Sequence, residues 1–583
     1  MKPKPAPAKP YSVNEVVRLA WIAIFIAVFS FLFYFRAGDI LLYGDAVAHI
    51  NIARRVFDSR TPGLLQLGTV WLPLPHLLIL PFVASKQLWQ NGAGGSIPSM
   101  AGFVFATLGI FRLLRTLLSA SAKNSPEAGA EADSKVSIEA KEIPLILPWL
   151  AAVLFAANPN LIYMQSTAMG ESLYLAFFIW AVMYFAEFAR GNAKSLIKSG
   201  YCLAAACLTR YDGWFLSAIL IAGFIVLLFL QRGHAGSNAR KKKKADTTLL
   251  SRGMMAKFVL LAIAGPALWL AYNAAVYKNP LEFANGPYSA KAIERRTETV
   301  NPAKGNVVAA ASYFLKAAEL NAGGSNWVGR LWLAMALLGS IAALFTGRAR
   351  VALLLWTPLP FYALSLAYGG VPIFVPTWWP FSQYNVRYGL QLLPAFAVFV
   401  PLGISFLVER AAKIPQIQPR LQKWASTVTA MVILIFNASS YAAIWRADPI
   451  CHQEASINMR GRVSLDRQVS EWLRFLPPNS TLLMYLGEHP GVLEREGIPL
   501  RRTINEGDHR VWKRPSDPDG LWERALANPA AYADFAIGFE GDPVWNAARD
   551  HQLAALVELH TTGQPPAIIF QGRPPASSQA NPR

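Results

Sequence analysis

The sequence is poor in charge and in cysteine. Only 15% of its 583 residues are charged, whereas 54% are hydrophobic, the balance of a membrane protein rather than a soluble one. Three cysteines (Cys202, Cys207 and Cys451) exclude a disulfide framework, and the first two lie in an apolar stretch where a thiol packs as a small hydrophobe. Their spacing is nominally that of zinc ligands, but no second ligand pair accompanies them and the eight histidines are scattered. No metal and no other cofactor is therefore expected. There is no P-loop, no dinucleotide fingerprint and no G-x-S-x-G elbow, and no Asp-x-Asp follows the first apolar run. Acidic residues are also scarce, 35 against 55 Lys and Arg, for a net charge of +20. Most of that positive charge lies in short loops between apolar runs, as membrane orientation requires, which argues against a nucleic-acid partner.

Long apolar runs are abundant. Several reach the roughly 20 residues that a spanning helix needs, and they recur over residues 19–445. The first is too long for a cleaved signal peptide and lacks a small-residue cleavage site. The expected fold class is an all-α polytopic membrane protein of about 11 transmembrane helices, followed by a small C-terminal α/β domain. Residues 1–18, with Lys2, Lys4, Lys9 and Arg18, read as a cytoplasmic tail. Residues 37–97 form the first external loop, with a half-inserted or juxtamembrane helix near 71–88. Spans are expected near 98–118, 144–162, 172–190, a hairpin over 199–230, 256–276, 327–346, 351–368, 389–408 and 426–445. Residues 119–142 and the basic loop holding Lys241 to Lys244 fall inside. An odd number of spans leaves residues 446–583 on the extracytoplasmic face of the cell membrane, and Lys and Arg are roughly twice as frequent in the loops assigned to the inside. In that tail, 463–475, 520–528 and 543–558 read as helices, and 481–486, 535–539 and 567–570 as strands.

Tyr43 to Ser59 organises the chemistry. Asp45 stands just outside the first span, His49 one helical turn further on, and Arg54 and Arg55 another turn beyond. Interleaved with Val47, Ile50, Val56 and Phe57, they suit a helix lying along a membrane surface and facing an anionic lipid. An Asp before an apolar helix is equally an ordinary N-cap. The assigned topology also brings Glu171, Arg210, Asp212 and Arg387 to the outer interface. Charged groups there line a polar cavity by default, because each is costly when unpaired in hydrocarbon. The plainer alternative is that Arg210 pairs with Asp212 or Glu171 merely to hold helices together.

The order of these features resembles the GT-C superfamily of integral membrane glycosyltransferases, particularly the polyprenyl-phosphate-mannose protein O-mannosyltransferases and the lipid A aminoarabinose transferases. The segments carrying the resemblance are Tyr43-Gly44-Asp45, Ser166 to Leu173, Leu208 to Gly213, and Tyr384 to Tyr388 with Leu393-Pro394. The resemblance implies a polyprenyl-phosphate sugar donor, a protein or glycolipid acceptor, and a catalytic acid at Asp45. Relatives often carry Asp-Glu at this point, whereas Ala46 follows Asp45 here. His49, Arg54, Glu171, Arg210, Asp212, Tyr384 and Arg387 are the expected substrate-binding residues. The competing classes are a lipid-linked sugar flippase, which more often shows an internal repeat than this chain does, and a surface polysaccharide ligase or polymerase.

Overall fold

A computed structural model describes residues 13–119, 146–237, 252–286, 289–297, 300–346, 349–411, 419–508 and 520–573. Most of the N-terminal tail, all of the 119–142 linker after its first residue, and Lys241 to Lys244 lie outside the described residues. The chain opens with α1 (Val13–Ala37), charged only near its two ends. Trp21, Phe25, Phe29 and Phe33, spaced four apart, stand exposed along it, a stripe suited to contact with hydrocarbon. Next come α2 (Gly44–Arg55), α3 (Pro73–Ile79) and α4 (Lys86–Gln90). The last two, within the segment expected to be half-inserted, have only 7 and 5 residues, far short of a bilayer crossing.

The bundle continues through α5 (Ala93–Ser119), α6 (Ile146–Ala156) and α7 (Pro159–Gln165). The α6–α7 pair bends by 63°, because Pro159 cannot continue the ladder of α6 and Asn158 instead caps Leu161 N–H. After these come α8 (Glu171–Ala189), α9 (Ala193–Thr209), α10 (Asp212–Ser237) and α11 (Arg252–Tyr277). The large loop that follows contains α12 (Glu282–Asn285), α13 (Ala290–Thr297) and α14 (Val307–Ala322). The membrane part closes with α15 (Asn326–Thr346), α16 (Pro358–Tyr368), α17 (Leu393–Ala411) and α18 (Pro419–Ala447). Among the described residues nine helices are long and apolar enough to cross a membrane, or ten if the bent pair is one span. The expected count also included α9, which has 17 residues and packs against α8 and α11. Helices approach closely where side chains vanish: a Cβ on Gly339 of α15 would collide with the Phe399 carbonyl of α17.

Beyond α18, α19 (Ile450–Leu473) leads into β1 (Leu482–Met484), α20 (Gly491–Arg495), β2 (Thr503–Ile504), α21 (Leu521–Ala527), α22 (Pro529–Tyr532), β3 (Phe535–Phe539), α23 (Pro543–Asp550), β4 (Ala555–Leu559) and β5 (Ala567–Gln571). The five strands run in the order β2-β1-β3-β5-β4. β1 is parallel to β2 and β3, β5 is antiparallel to β3 and β4, and Ile537 lies opposite Ile569. Three strands were expected. The stretch 543–558, expected as one helix, instead divides: Asp542 caps Trp545 N–H to start α23, the helix ends at Asp550, and the chain re-enters the sheet as β4. Two-residue β2 carries too little pattern to be seen in sequence.

Candidate active site

Tyr43 caps α2 without a side-chain bond, so Asp45 is not the N-cap. Its carboxylate turns away and accepts from Arg387 Nη2 at 2.7 Å, with 41% of the side chain exposed. Arg387 enters from the turn 386–392 that precedes α17. Its guanidinium lies between the rings of Tyr43 and Tyr388, 5.0 and 5.2 Å from their centroids. Besides Asp45 it meets two buried carboxylates, Glu454 at 2.7 Å through Nη1 and Glu171 at 3.4 Å through Nε. Glu171, in the first turn of α8, also takes Arg210 Nη1 at 3.0 Å. Arg210 sits where α9 gives way to α10. It reaches Tyr362 Oη at 2.9 Å and Asp212 at 3.5 Å, and Tyr362 donates to Asp212 at 3.3 Å.

Five of the eight expected residues, Asp45, Glu171, Arg210, Asp212 and Arg387, thus form one connected ionic network. Each stands where an apolar helix begins or ends, so the network collects at one end of the bundle. Such a network is polar, charged and partly open, and it can hold an anion against guanidinium while offering a carboxylate to a hydroxyl. Glu454 joins this network from α19, in the tail, which sequence reasoning treated as separate. Tyr362 was also missed, while Tyr43 and Tyr388 stand in segments that carry the resemblance but were given no role. The available signal for Glu454 was the spacing of Ile450, Cys451, Ala455 and Met459, all buried, which marks one face of a helix continuing inward past the last span.

The other three expected residues take different roles. α2 does not lie along a bare membrane surface, because seven of its residues are buried between bundle and tail. Asn51 on this helix donates to the Pro490 carbonyl at 2.7 Å and to Glu494 at 3.1 Å, and accepts from Trp89 Nε1 at 2.8 Å. His49 is consequently buried and does not bond Asp45. Its Nδ1 meets His76 Nε2 at 2.8 Å, and its ring packs 4.8 Å from Trp71. Burial pushes both imidazoles below their ordinary value, His76 furthest, which favours the neutral form of each. Arg54 is fully engaged elsewhere: it binds Asp58 at 3.0 Å and the Val83 and Ala84 carbonyls at 2.7 and 3.0 Å, and lies over Trp89. Tyr384 is half-exposed and pairs through its backbone with Phe374. Desolvation and the nearby Asp45 charge push its phenol up to about 12. Among the described residues no group of three or more His, Cys, Asp and Glu is arranged to hold a metal ion; guanidinium groups separate the carboxylates of the network.

No protein-family model matches this chain, and no curated protein matches it. Among solved structures, ArnT from Cupriavidus metallidurans bound to undecaprenyl phosphate is similar at a TM-score of 0.52 and 12% identity, over 98% of this chain and 100% of that one. The same protein in its apo state is similar at 0.51 and 13%, with the same coverage. At such identities the likeness is one of architecture, and along nearly its whole length this chain has a GT-C-like membrane fold with a C-terminal α/β unit.

Proposed function

We propose that this protein is a membrane glycosyltransferase that moves a sugar from a polyprenyl-phosphate carrier to an acceptor hydroxyl on the extracytoplasmic face. One observation carries the reading. A half-exposed carboxylate, Asp45, is held 2.7 Å from a guanidinium that buried acids fix from behind, at the point where the first external helix enters the bundle. The GT-C-like fold supports it, since ArnT from Cupriavidus metallidurans with that architecture binds undecaprenyl phosphate.

The chemistry follows from the arrangement. Donor phosphate takes the Nη2 corner of Arg387 that Asp45 occupies in the free protein, because Asp45 is the exposed partner and the other two carboxylates are buried. Released, Asp45 accepts the proton of the acceptor hydroxyl as its oxygen attacks the anomeric carbon. The bond from that carbon to the phosphate oxygen breaks, the configuration inverts, and polyprenyl phosphate leaves with the bonding pair. General-base assistance of this kind is worth roughly 10²–10⁴-fold. Arg387 and Arg210 stabilise the charge gathering on the leaving phosphate, and Glu171 and Asp212, each with one carboxylate oxygen free of a hydrogen-bond partner, take sugar hydroxyls. The donor enters sideways from the bilayer, its lipid lying in a groove between helices.

The test uses purified protein in nanodiscs, supplied with labelled polyprenyl-phosphate sugars and a membrane extract as acceptor. Wild type transfers label and Asp45→Asn does not. Equal transfer by both refutes the role of Asp45. Absence of transfer by either, with donor still bound, refutes the transferase and favours a flippase.

A further inference from the structure

We infer that Glu454, on the first helix of the C-terminal segment, is the positioning residue that aims Arg387 at the reacting phosphate. The inference rests on the role given to Arg387 above. It makes α19 part of the transfer machinery, and not only a stalk for the sheet beyond it.

Glu454 is 1% exposed and divides its two oxygens between backbone and side chain of adjacent residues. Oε2 accepts from Val386 N–H at 2.7 Å and Oε1 from Arg387 Nη1 at 2.7 Å. One buried carboxylate therefore fixes both the start of the 386–392 turn and the guanidinium that the turn carries. The same helix holds the approach to that turn. Asn458 donates to the Gln383 carbonyl at 2.9 Å, and Gln453 accepts from Gln383 Nε2 at 2.8 Å. The turn itself begins at Asn385 in the left-handed region, φ 56, a conformation that persists when surrounding contacts over-determine it. α19 also holds the other partner: Tyr43, two residues before Asp45, donates its hydroxyl to the Cys451 carbonyl at 2.8 Å, and the Arg462 guanidinium lies against the Cα of Gly44, where any Cβ would collide with it.

Packing alone does not call for an acid here. A buried ion pair is often no more stable than a well-packed apolar replacement, and Asp45 and Glu171 already surround Arg387 with negative charge. A third carboxylate makes the site less hospitable to an anion. What it adds is direction: with Nη1 tied inward, Nη2 is left facing the exposed side, where Asp45 waits and a phosphate can enter.

In Glu454→Gln the amide group must present N–H either to Val386 N–H or to Nη1, so one of the two bonds becomes a repulsion. Loss of the negative charge favours an anionic donor while loss of orientation disfavours it, and donor KM stays within about threefold of wild type. The transition state needs the oriented guanidinium as charge accumulates on the leaving phosphate, so kcat falls by about 30–100-fold. Glu454→Asp keeps the charge and both acceptors one methylene further back, and recovers kcat to within about 10-fold of wild type.

The experiment measures steady-state sugar transfer by the full chain in nanodiscs, normalised to folded protein, for these variants and Asp45→Asn. It is paired with hydrogen–deuterium exchange of the 383–392 peptide. A fall in kcat at nearly constant KM, rescued by Asp and accompanied by faster exchange across 383–392, is the expected result. Glu454→Gln with wild-type kcat overturns the inference while leaving the role of Asp45 standing. If wild type transfers no sugar, the transferase reading falls by itself. The exchange measurement then decides the anchoring, and unchanged exchange across 383–392 overturns it. If Glu454→Gln does not fold, Asn458→Ala, an exposed change one helical turn further along α19 that removes the bond to the Gln383 carbonyl, replaces it with the same two readouts, and wild-type exchange in that variant overturns the inference.

Discussion

Replacing Arg387 by lysine keeps the charge and removes the fork, which makes it the sharpest test of the network geometry. The guanidinium spans Asp45 and Glu454 with two bonds of 2.7 Å, lies 3.4 Å from Glu171, and is flanked by Tyr43 and Tyr388. An ammonium is a compact point charge that cannot bridge all three acids or stack flat between rings. It will move to Glu171 and Glu454, each 1% exposed, because buried carboxylates left unpaired are the most expensive. Asp45, 41% exposed, is then released to water at little cost. The bond given up is the one to half-exposed Asp45, so the fold loses no more than about 1 kcal/mol. The effect on reaction is larger, since the oriented donor facing the leaving phosphate disappears. Removing one such donor lowers kcat by about 10²–10³-fold. Thermal unfolding and sugar transfer, both in nanodiscs, measure the two losses separately. A lysine variant within about fivefold of wild-type kcat/KM would refute the claim that guanidinium geometry, and not mere positive charge, is what the site requires.

Arg54→Ala is expected to leave donor KM and kcat unchanged, because its guanidinium serves Asp58 and two carbonyls; it should cost about 2 kcal/mol of stability by leaving the buried Asp58 with only the long 3.4 Å contacts from the backbone N–H and Nη1 of Arg501. A raised KM in this variant would return Arg54 to the donor site. The His49–His76 pair predicts an acid-sensitive fold. Both folded-state values lie below the ordinary imidazole value near 6.5, so the unfolded chain binds more protons in that interval and stability rises with pH. The contribution is complete above about 6.5 and is lost as pH falls from there through the folded values. Melting temperature recorded from pH 7.5 to 5 should fall in wild type and fall less steeply in His76→Phe; parallel curves would show that the pair does not govern acid stability.

What was legible in the sequence and what was not divides along one physical line. Asp45, Glu171, Arg210, Asp212 and Arg387 could be found because each stands at the end of an apolar run, and the bilayer turns position along the chain into position in space. Every second helix end meets at the same interface, so the convergence of five charges follows from counting spans. Partner choice within that interface is a different problem. Asp58 at i+4 was the local signal that Arg54 was already taken, and it is visible in the sequence once a helix is assumed. His76, 27 residues after His49, and Glu454, 67 residues after Arg387, are not visible in that way. Their pairings depend on how α3 and α19 pack, and no periodicity in α2 or in the 386–392 turn reports it. The tail illustrates the point from the other side. Its strands β1, β3 and β5 were readable because apolar runs bounded by turns fix a strand locally. Its contribution to the site was harder to read, because a lone glutamate in a polar helix looks the same whether it faces water or a buried arginine unless the apolar residues beside it are taken as a buried face. Composition placed α19 outside the membrane domain. Burial of Ile450, Cys451, Ala455 and Met459 then sets its first turns against the bundle, and a carboxylate on that face has nowhere to go except toward a cation. Arg387 is the cation that the end of the loop before α17 supplies.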